Sequence, residues 1–288
     1  AQYLPPETNI AADGAIELTG SLRGTLKRID PDLTLTVDNG LILSPQLEPG
    51  FSNITLRAKV ENGEAAIEQL SARWGTASLE ASGKVPLEVL PALPVDIPRM
   101  SGPATFKAAV LGLDPSAIPG APPQLSGRLS ADAEVAAASA DINAIKGQIT
   151  FHELDVAYNG LSLAQQQASL ITIAGGAAQI EQLNLTGSAG EIHASGNVEL
   201  VGDRALNVDV DGGINVAAAS LVSDRIRAEG DSALKLMARG TLNSPEVTGS
   251  VDLVNARAVS DEPNVAAENI YAHVDLEENH SKHCRASD

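Results

Sequence analysis

Apolar residues recur at every second position along most of this 288-residue chain. Ile54, Leu56, Ala58 and Val60 alternate with Thr55, Arg57, Lys59 and Glu61. Ala77, Leu79, Ala81, Gly83, Val85 and Leu87 do the same against Ser78, Glu80, Ser82, Lys84 and Pro86. Further runs are Leu33-Leu35-Val37, Ile192 to Leu200 through Val198, Leu206-Val208-Val210, Leu234-Leu236-Ala238, Val247-Gly249-Val251-Leu253 and Ile270-Ala272-Val274-Leu276. A strand turns successive side chains to opposite faces, so this spacing builds one apolar face and one polar face. Adjacent strands of that kind predict an antiparallel sheet, wet on one side. Asp38-Asn39-Gly40, Glu61-Asn62-Gly63, Tyr158-Asn159-Gly160, Asp211-Gly212-Gly213 and Asn243-Ser244-Pro245 read as the turns between strands. Only Ala136–Ala140 and Val216–Ser220 lean towards helix, for one or two turns each. The expected fold class is all-β, an elongated and repetitive antiparallel sheet.

The chain also repeats itself. Ala65-Ala66-Ile67-Glu68-Gln69-Leu70 returns 113 residues later as Ala178-Gln179-Ile180-Glu181-Gln182-Leu183, and ten of 23 positions from Ala65 to Leu87 are identical at that offset. A fainter echo links Arg23-Gly24-Thr25-Leu26 to Arg239-Gly240-Thr241-Leu242. A unit this long must hold several strands, and units joined end to end share one continuous apolar face. The matched segments read as holding a single apolar phase, since a one-residue slip would turn the lining outwards. The expected organisation is a first repeat at 1–87, a proline-rich connector at 88–124, a second repeat at 125–200, a partial third at 201–278 and a polar tail at 279–288. Nine of the sixteen prolines fall between Pro86 and Pro123. Proline lacks the donor that a central strand needs, so that segment reads as a loop or edge crossover that packs on something, or else as a disordered linker.

Composition narrows the function. The chain is 43% hydrophobic, yet only three Phe, three Tyr and one Trp are present, so the apolar material is Leu, Val, Ile and Ala. That suits a lining for flexible aliphatic chains as well as a packed core. A formal charge of −18 and the lack of a basic stripe argue against nucleic acid and against direct docking on anionic headgroups. The single cysteine, Cys284, allows no internal disulfide, and no stretch approaches the ~20 apolar residues of a membrane span. Ala1-Gln2-Tyr3-Leu4-Pro5 reads as the interior of a longer protein.

Three motifs suggest chemistry at first sight. Asn207-Val208-Asp209-Val210-Asp211-Gly212 opens like a calcium loop, but its twelfth position is Ala218 rather than Glu. Ser232 and Lys235 have serine-acylase spacing without the partner motifs, and on a strand they would face opposite ways. His280-Ser281-Lys282-His283-Cys284 offers three metal ligands in a polar tail with no second cluster. Glu68 and Glu181 occupy equivalent positions in the repeat, which points to an outer structural role. His152, His193 and His273 are scattered among strands without a shared Cys or carboxylate pattern. No catalytic residue, metal site or cofactor is expected, and the chain does not read as an enzyme.

Arg239-Gly240-Thr241-Leu242, Pro245, and Gly249-Ser250-Val251-Asp252-Leu253-Val254-Asn255 together resemble a recurring signature of the TamB branch of the AsmA-like envelope proteins. That signature is Gly-Thr-Leu, a short gap, Pro, then Gly-x-Leu-x-Leu-x-Asn. Gly24-Thr25-Leu26 with Pro31, Leu33, Asn39 and Gly40 is a looser version with two extra residues. Ala194-Ser195-Gly196-Asn197-Val198-Glu199-Leu200 also looks like the family's strands. The resemblance implies a long, U-shaped, taco-like groove, polar outside and aliphatic inside, in the periplasm and tethered to the inner membrane by a segment outside these residues. It implies phospholipid transport between the inner and outer membranes, and assembly of outer-membrane proteins with a TamA- or BamA-type barrel.

The residues and the resemblance thus leave three expectations. In the first, acyl chains slide on inward aliphatics: Leu33, Leu35, Val37, Ile54, Leu56, Val60, Leu79, Val85, Ile149, Ile192, Val198, Leu206, Val208, Leu234, Leu236, Val251, Leu253, Ile270 and Val274. In the second, sheet edges receive unfolded outer-membrane strands by β-augmentation, as a scaffold for protein secretion. In the third, the chain is a structural stalk with a packed, filled interior.

Overall fold

The computed structural model describes residues 10–25, 28–45, 47–89, 100–215, 226–242, 244–261 and 264–276. They form sixteen strands: β1 (Ala11–Thr25), β2 (Arg28–Ser44), β3 (Leu47–Glu61), β4 (Glu64–Trp74), β5 (Ala77–Pro86), β6 (Ala104–Leu113), β7 (Leu125–Ala137) and β8 (Ile145–Tyr158). They continue as β9 (Leu161–Gln165), β10 (Ser169–Ala174), β11 (Ala177–Gly187), β12 (Gly190–Glu199), β13 (Leu206–Ile214), β14 (Ile226–Thr241), β15 (Ser244–Asp261) and β16 (Asn264–Leu276). All belong to one antiparallel sheet in sequence order, with β9 and β10 sharing the place between β8 and β11. At ~4.8 Å per strand, fifteen places span about 67 Å measured along the surface of the sheet.

The 113-residue repeat is a repeat of register. β4 and β5 map onto β11 and β12 residue for residue, from Ala65 opposite Val85 to Ala178 opposite Val198. In the same frame β2 maps onto β8, and β3 onto the interrupted pair β9–β10. The Ile-Glu-Gln-Leu core of the motif has a specific task. Ile67 faces Gly83 and Leu70 faces Ala81, so three steps on β4 oppose two on β5. Ile180 and Leu183 oppose Gly196 and Ala194 in the same way. Each copy therefore carries a β-bulge, whose extra residue brings two apolar side chains spaced by three onto one face. The single phase read from the sequence is kept by a slip built into the backbone. The same device recurs at Val37–Gly40, Phe51–Ile54, Val110–Leu113 and Leu253–Ala256.

Two of the turns read from the sequence are corrected. Asp38-Asn39-Gly40 lies inside β2, with Asn39 at φ 50°, and Asp211-Gly212-Gly213 lies inside β13. Asn accepts the left-handed conformation that a bulge needs, so an Asn-Gly pair does not by itself mark a chain reversal. Gly212 instead permits close strand approach, because a Cβ there would sit 2.0 Å from the Glu191 carbonyl oxygen. Glu61–Glu64 and Tyr158–Leu161 are true hairpin turns.

The proline-rich connector is also corrected. Ala104–Leu113 inside it forms β6, paired on both sides with β5 and β7. Prolines flank that window at 103 and 115 but leave its interior free to donate. Residues 90–99 of the connector lie outside the described residues, as do the 279–288 tail with His280, His283 and Cys284, the Val216–Ser220 stretch and Asn243. Ala136 and Ala137 end β7 and are followed by bends rather than a helix. Two single turns of 3₁₀ helix occur at Pro115–Ala117 and Ile142–Ala144, each capped by an aspartate accepting from a backbone N–H at 2.9 Å.

Candidate functional site

Directly paired residues in an antiparallel ladder share a face, so the register can be followed across the whole sheet. One line runs Ile16, Val37, Leu56, Leu70, Ala81, Ala108, Ala133, Ile149, Ile171, Ile180, Gly196, Val208, Ala238, Val247. It crosses β1 to β15 without meeting a polar side chain. The next line over on β5 to β13 is Ser82, Lys107, Glu134, Gln148, Thr172, Gln179, Asn197, Asn207, all polar. The two lines stay on separate faces from β5 to β13. All nineteen aliphatic residues singled out in the sequence sit on the apolar side by this register, including Leu33, Leu35, Ile54, Val60, Leu79, Val85 and Ile192. Val198, Leu206, Leu234, Leu236, Val251, Leu253, Ile270 and Val274 join them from β12 to β16.

The apolar face is concave and open. A hollow of about 520 Å³ is lined by Ile42 of β2, Ile149 of β8 and inward residues of every strand between. In a flat sheet β2 and β8 would lie about 29 Å apart, so shared lining requires the sheet to curl around this face. A second hollow, about 350 Å³, lies further along the same strands over Val60, Ile67, Val85, Phe106, Val135 and Ile145. Glu80, Asp132, Lys59 and Lys84 also border these hollows, although the register turns their side chains to the other face. No large side chain among the described residues is fully enclosed. Exposure on this face peaks at the first strand, with Ile16 at 74% and Leu18 at 66%, against 6% for Leu234.

The polar face is stitched by cross-strand ion pairs. Glu68, the bulge residue, accepts Arg57 at 3.2 Å and Lys59 at 3.0 Å, which holds the Lys59 ammonium above its ordinary pKa through a hydrogen bond and direct attraction. Lys107 meets Glu134 at 2.5 Å, Arg239 meets Asp209 at 3.0 Å, and His152 meets Asp132. Asp209 in the calcium-like run is thereby occupied, and no group of three metal ligands occurs among the described residues. His193 contacts Asn184 and Glu191. His273 stands between Asp252 at 2.5 Å and Asp275 at 3.0 Å; the Asp252 hydrogen bond and the Asp275 charge raise its pKa. Ser232 faces inward and its hydroxyl lies 3.1 Å from the Ile214 N–H and 2.7 Å from the Ile214 carbonyl, while Lys235 projects from the other face.

Sequence reasoning missed the aromatic residues of this face and its alanine floor. Phe51 and Trp74 stack across β3 and β4 with ring centres 5.7 Å apart, and the enclosed Trp74 Nε1 has no hydrogen-bond partner. Trp74 follows Leu70 and Ala72 at two-residue spacing, the signal that could have placed it. Gln165 interrupts the apolar face where β9 gives way to β10; its Nε2 donates to the Phe151 carbonyl at 2.8 Å and its Oε1 is enclosed unpaired. Comparison with protein-family models, curated proteins and solved structures found no match to this chain.

Proposed function

We propose that this sheet is a hydrophobic groove that carries phospholipid acyl chains, a periplasmic segment of a TamB/AsmA-like protein moving lipid between the inner and outer membranes. The observation that carries the reading is the unbroken apolar line from Ile16 to Val247, opened into hollows rather than filled. Hollows of this size and lining suit small apolar ligands. A chain of about sixteen carbons, half sheltered, would gain about 6 kcal/mol before entropic costs. Spread along some 67 Å of similar surface, that gain holds lipid without one deep trap. Headgroups stay in water at the open side, which fits the scarcity of polar groups on the inner face. Native mass spectrometry of the purified chain, before and after incubation with phosphatidylethanolamine vesicles, should show phospholipid adducts. Spectra free of lipid in both states would sink the reading.

A second reading, a scaffold for outer-membrane strands with a TamA-type partner, draws on one feature. The outer edges of β1 and β16 have no strand beside them among the described residues, and β1 bares Ile16 and Leu18. Such edges accept an added strand. Peptide binding that survives polar substitution of the inner aliphatics would favour it over lipid carriage. A filled stalk is disfavoured by the open hollows and the half-exposed inner side chains.

A further inference from the structure

The two hollows lie end to end along the same strands, and Phe106, which lines the smaller, stands one inward step from Ala108, which lines the larger. The larger rests on Ala81, Ala108 and Ala133, the smaller on Gly83, Phe106 and Val135. Each pair of neighbours is one inward step apart, about 6.7 Å along β5, β6 or β7. No residue lines both hollows. Phe106 pairs directly with Gly83, and a Cβ placed on Gly83 would come within 3.0 Å of Phe106 Cδ2. The ring thus leans over the bare glycine backbone, as aromatic residues do beside strand glycines. It remains 41% exposed and is the one ring lining the smaller hollow. On β6 its inward neighbours Ala104 and Ala108 carry only methyl groups, so the ring rises above the floor on both sides.

We propose that Phe106 is a specificity-determining residue: its ring is a low partition that sets the length of alkyl chain this stretch of groove accepts. The inference rests on the acyl-chain reading above. At about 30 Å³ for a group the size of a methylene or a water, the hollows hold roughly 17 and 12 such groups. A chain confined to the larger hollow gains contact with each added carbon until the ring stops it. With the ring removed, the hollows join and the chain continues over Gly83.

The test is displacement of a fluorescent fatty acid by saturated fatty acids of graded length, each below its micelle concentration. Wild-type affinity should rise about two- to fourfold per methylene and then level off. Phe106→Ala should move the levelling point to longer chains, and Phe106→Leu should move it part of the way. Leu111→Ala, on the polar face of the same strand, should leave the profile unchanged. If Phe106→Ala loses the sheet by circular dichroism, Phe106→Leu carries the test. A levelling point unmoved in the folded variants, or a wild-type curve that climbs without levelling, overturns the partition and leaves acyl-chain binding standing. A wild-type chain that binds no fatty acid overturns both.

Discussion

Deleting Glu68 tests the link between the repeated motif and the two-faced sheet. The residue is the extra one in the first bulge, so its loss puts Leu70, Ala72 and Trp74 one step out of phase with Ile67. Either the end of β4 or its beginning must then turn its apolar side chains to water. Full burial of a large apolar side chain contributes about 1.5–3 kcal/mol, and these are half-buried, so Leu70 and Trp74 lose about half of that each. With Ala72 the total is about 2–3 kcal/mol, roughly thirty- to a hundredfold in the folding equilibrium and a large part of a usual domain's stability. Glu68→Ala is the control, since it removes the contacts to Arg57 and Lys59 but keeps the residue count. Those are exposed pairs and contribute 0–1 kcal/mol. The assay is urea unfolding followed by circular dichroism, together with the emission of Trp74, the chain's single tryptophan. The deletion should lower the midpoint well below that of Glu68→Ala and shift the emission to the red. If the deletion variant matches the control in midpoint and colour, the bulge does not set the face and the reasoning fails.

Three further outcomes follow from the geometry. With Cys284 replaced by serine, single cysteines at Val85 and Leu236 should react with a soluble maleimide in the folded chain, whereas a filled interior would protect them. Ser232→Ala leaves the Ile214 backbone short of a partner beneath a side chain only 9% exposed, and should cost about 1–3 kcal/mol and speed amide exchange at Ile214; unchanged exchange would contradict that. His273 has a folded pKa raised above 6.5 by Asp252 and Asp275, so its contribution is complete below that value and is lost as pH climbs through the folded pKa. Exchange of the β16 amides should therefore quicken with pH over that window beyond the intrinsic rate, and His273→Gln should abolish the excess.

The faces were legible because strand geometry has a period of two, and every inward aliphatic residue read from the alternation lies on the apolar side. The bulges were not, because Ile67 and Leu70 are three apart and only the count on the partner strand shows where the extra residue goes. Asn39 and Gly212 misled for the same reason: a residue suited to a turn is equally suited to a bulge or a close approach. β6 hid among prolines whose density drew attention from the proline-free window between 103 and 115. Ala136 and Ala137 favour helix locally, yet pairing with β8 decided their conformation. The hollows depend on curl and on small side chains meeting across β5, β6 and β7, which no single strand's sequence displays.

The central claim is that alkyl chains lie on one face of this sheet and not on the other. Photo-crosslinking amino acids at Leu79 and Val198, and at their outward neighbours Ser78 and Asn197, test it position by position in a lipid-producing cell. Adducts of phospholipid mass at Leu79 and Val198, with none at Ser78 and Asn197, are the expected result. Adducts on both faces, or on neither, would contradict it.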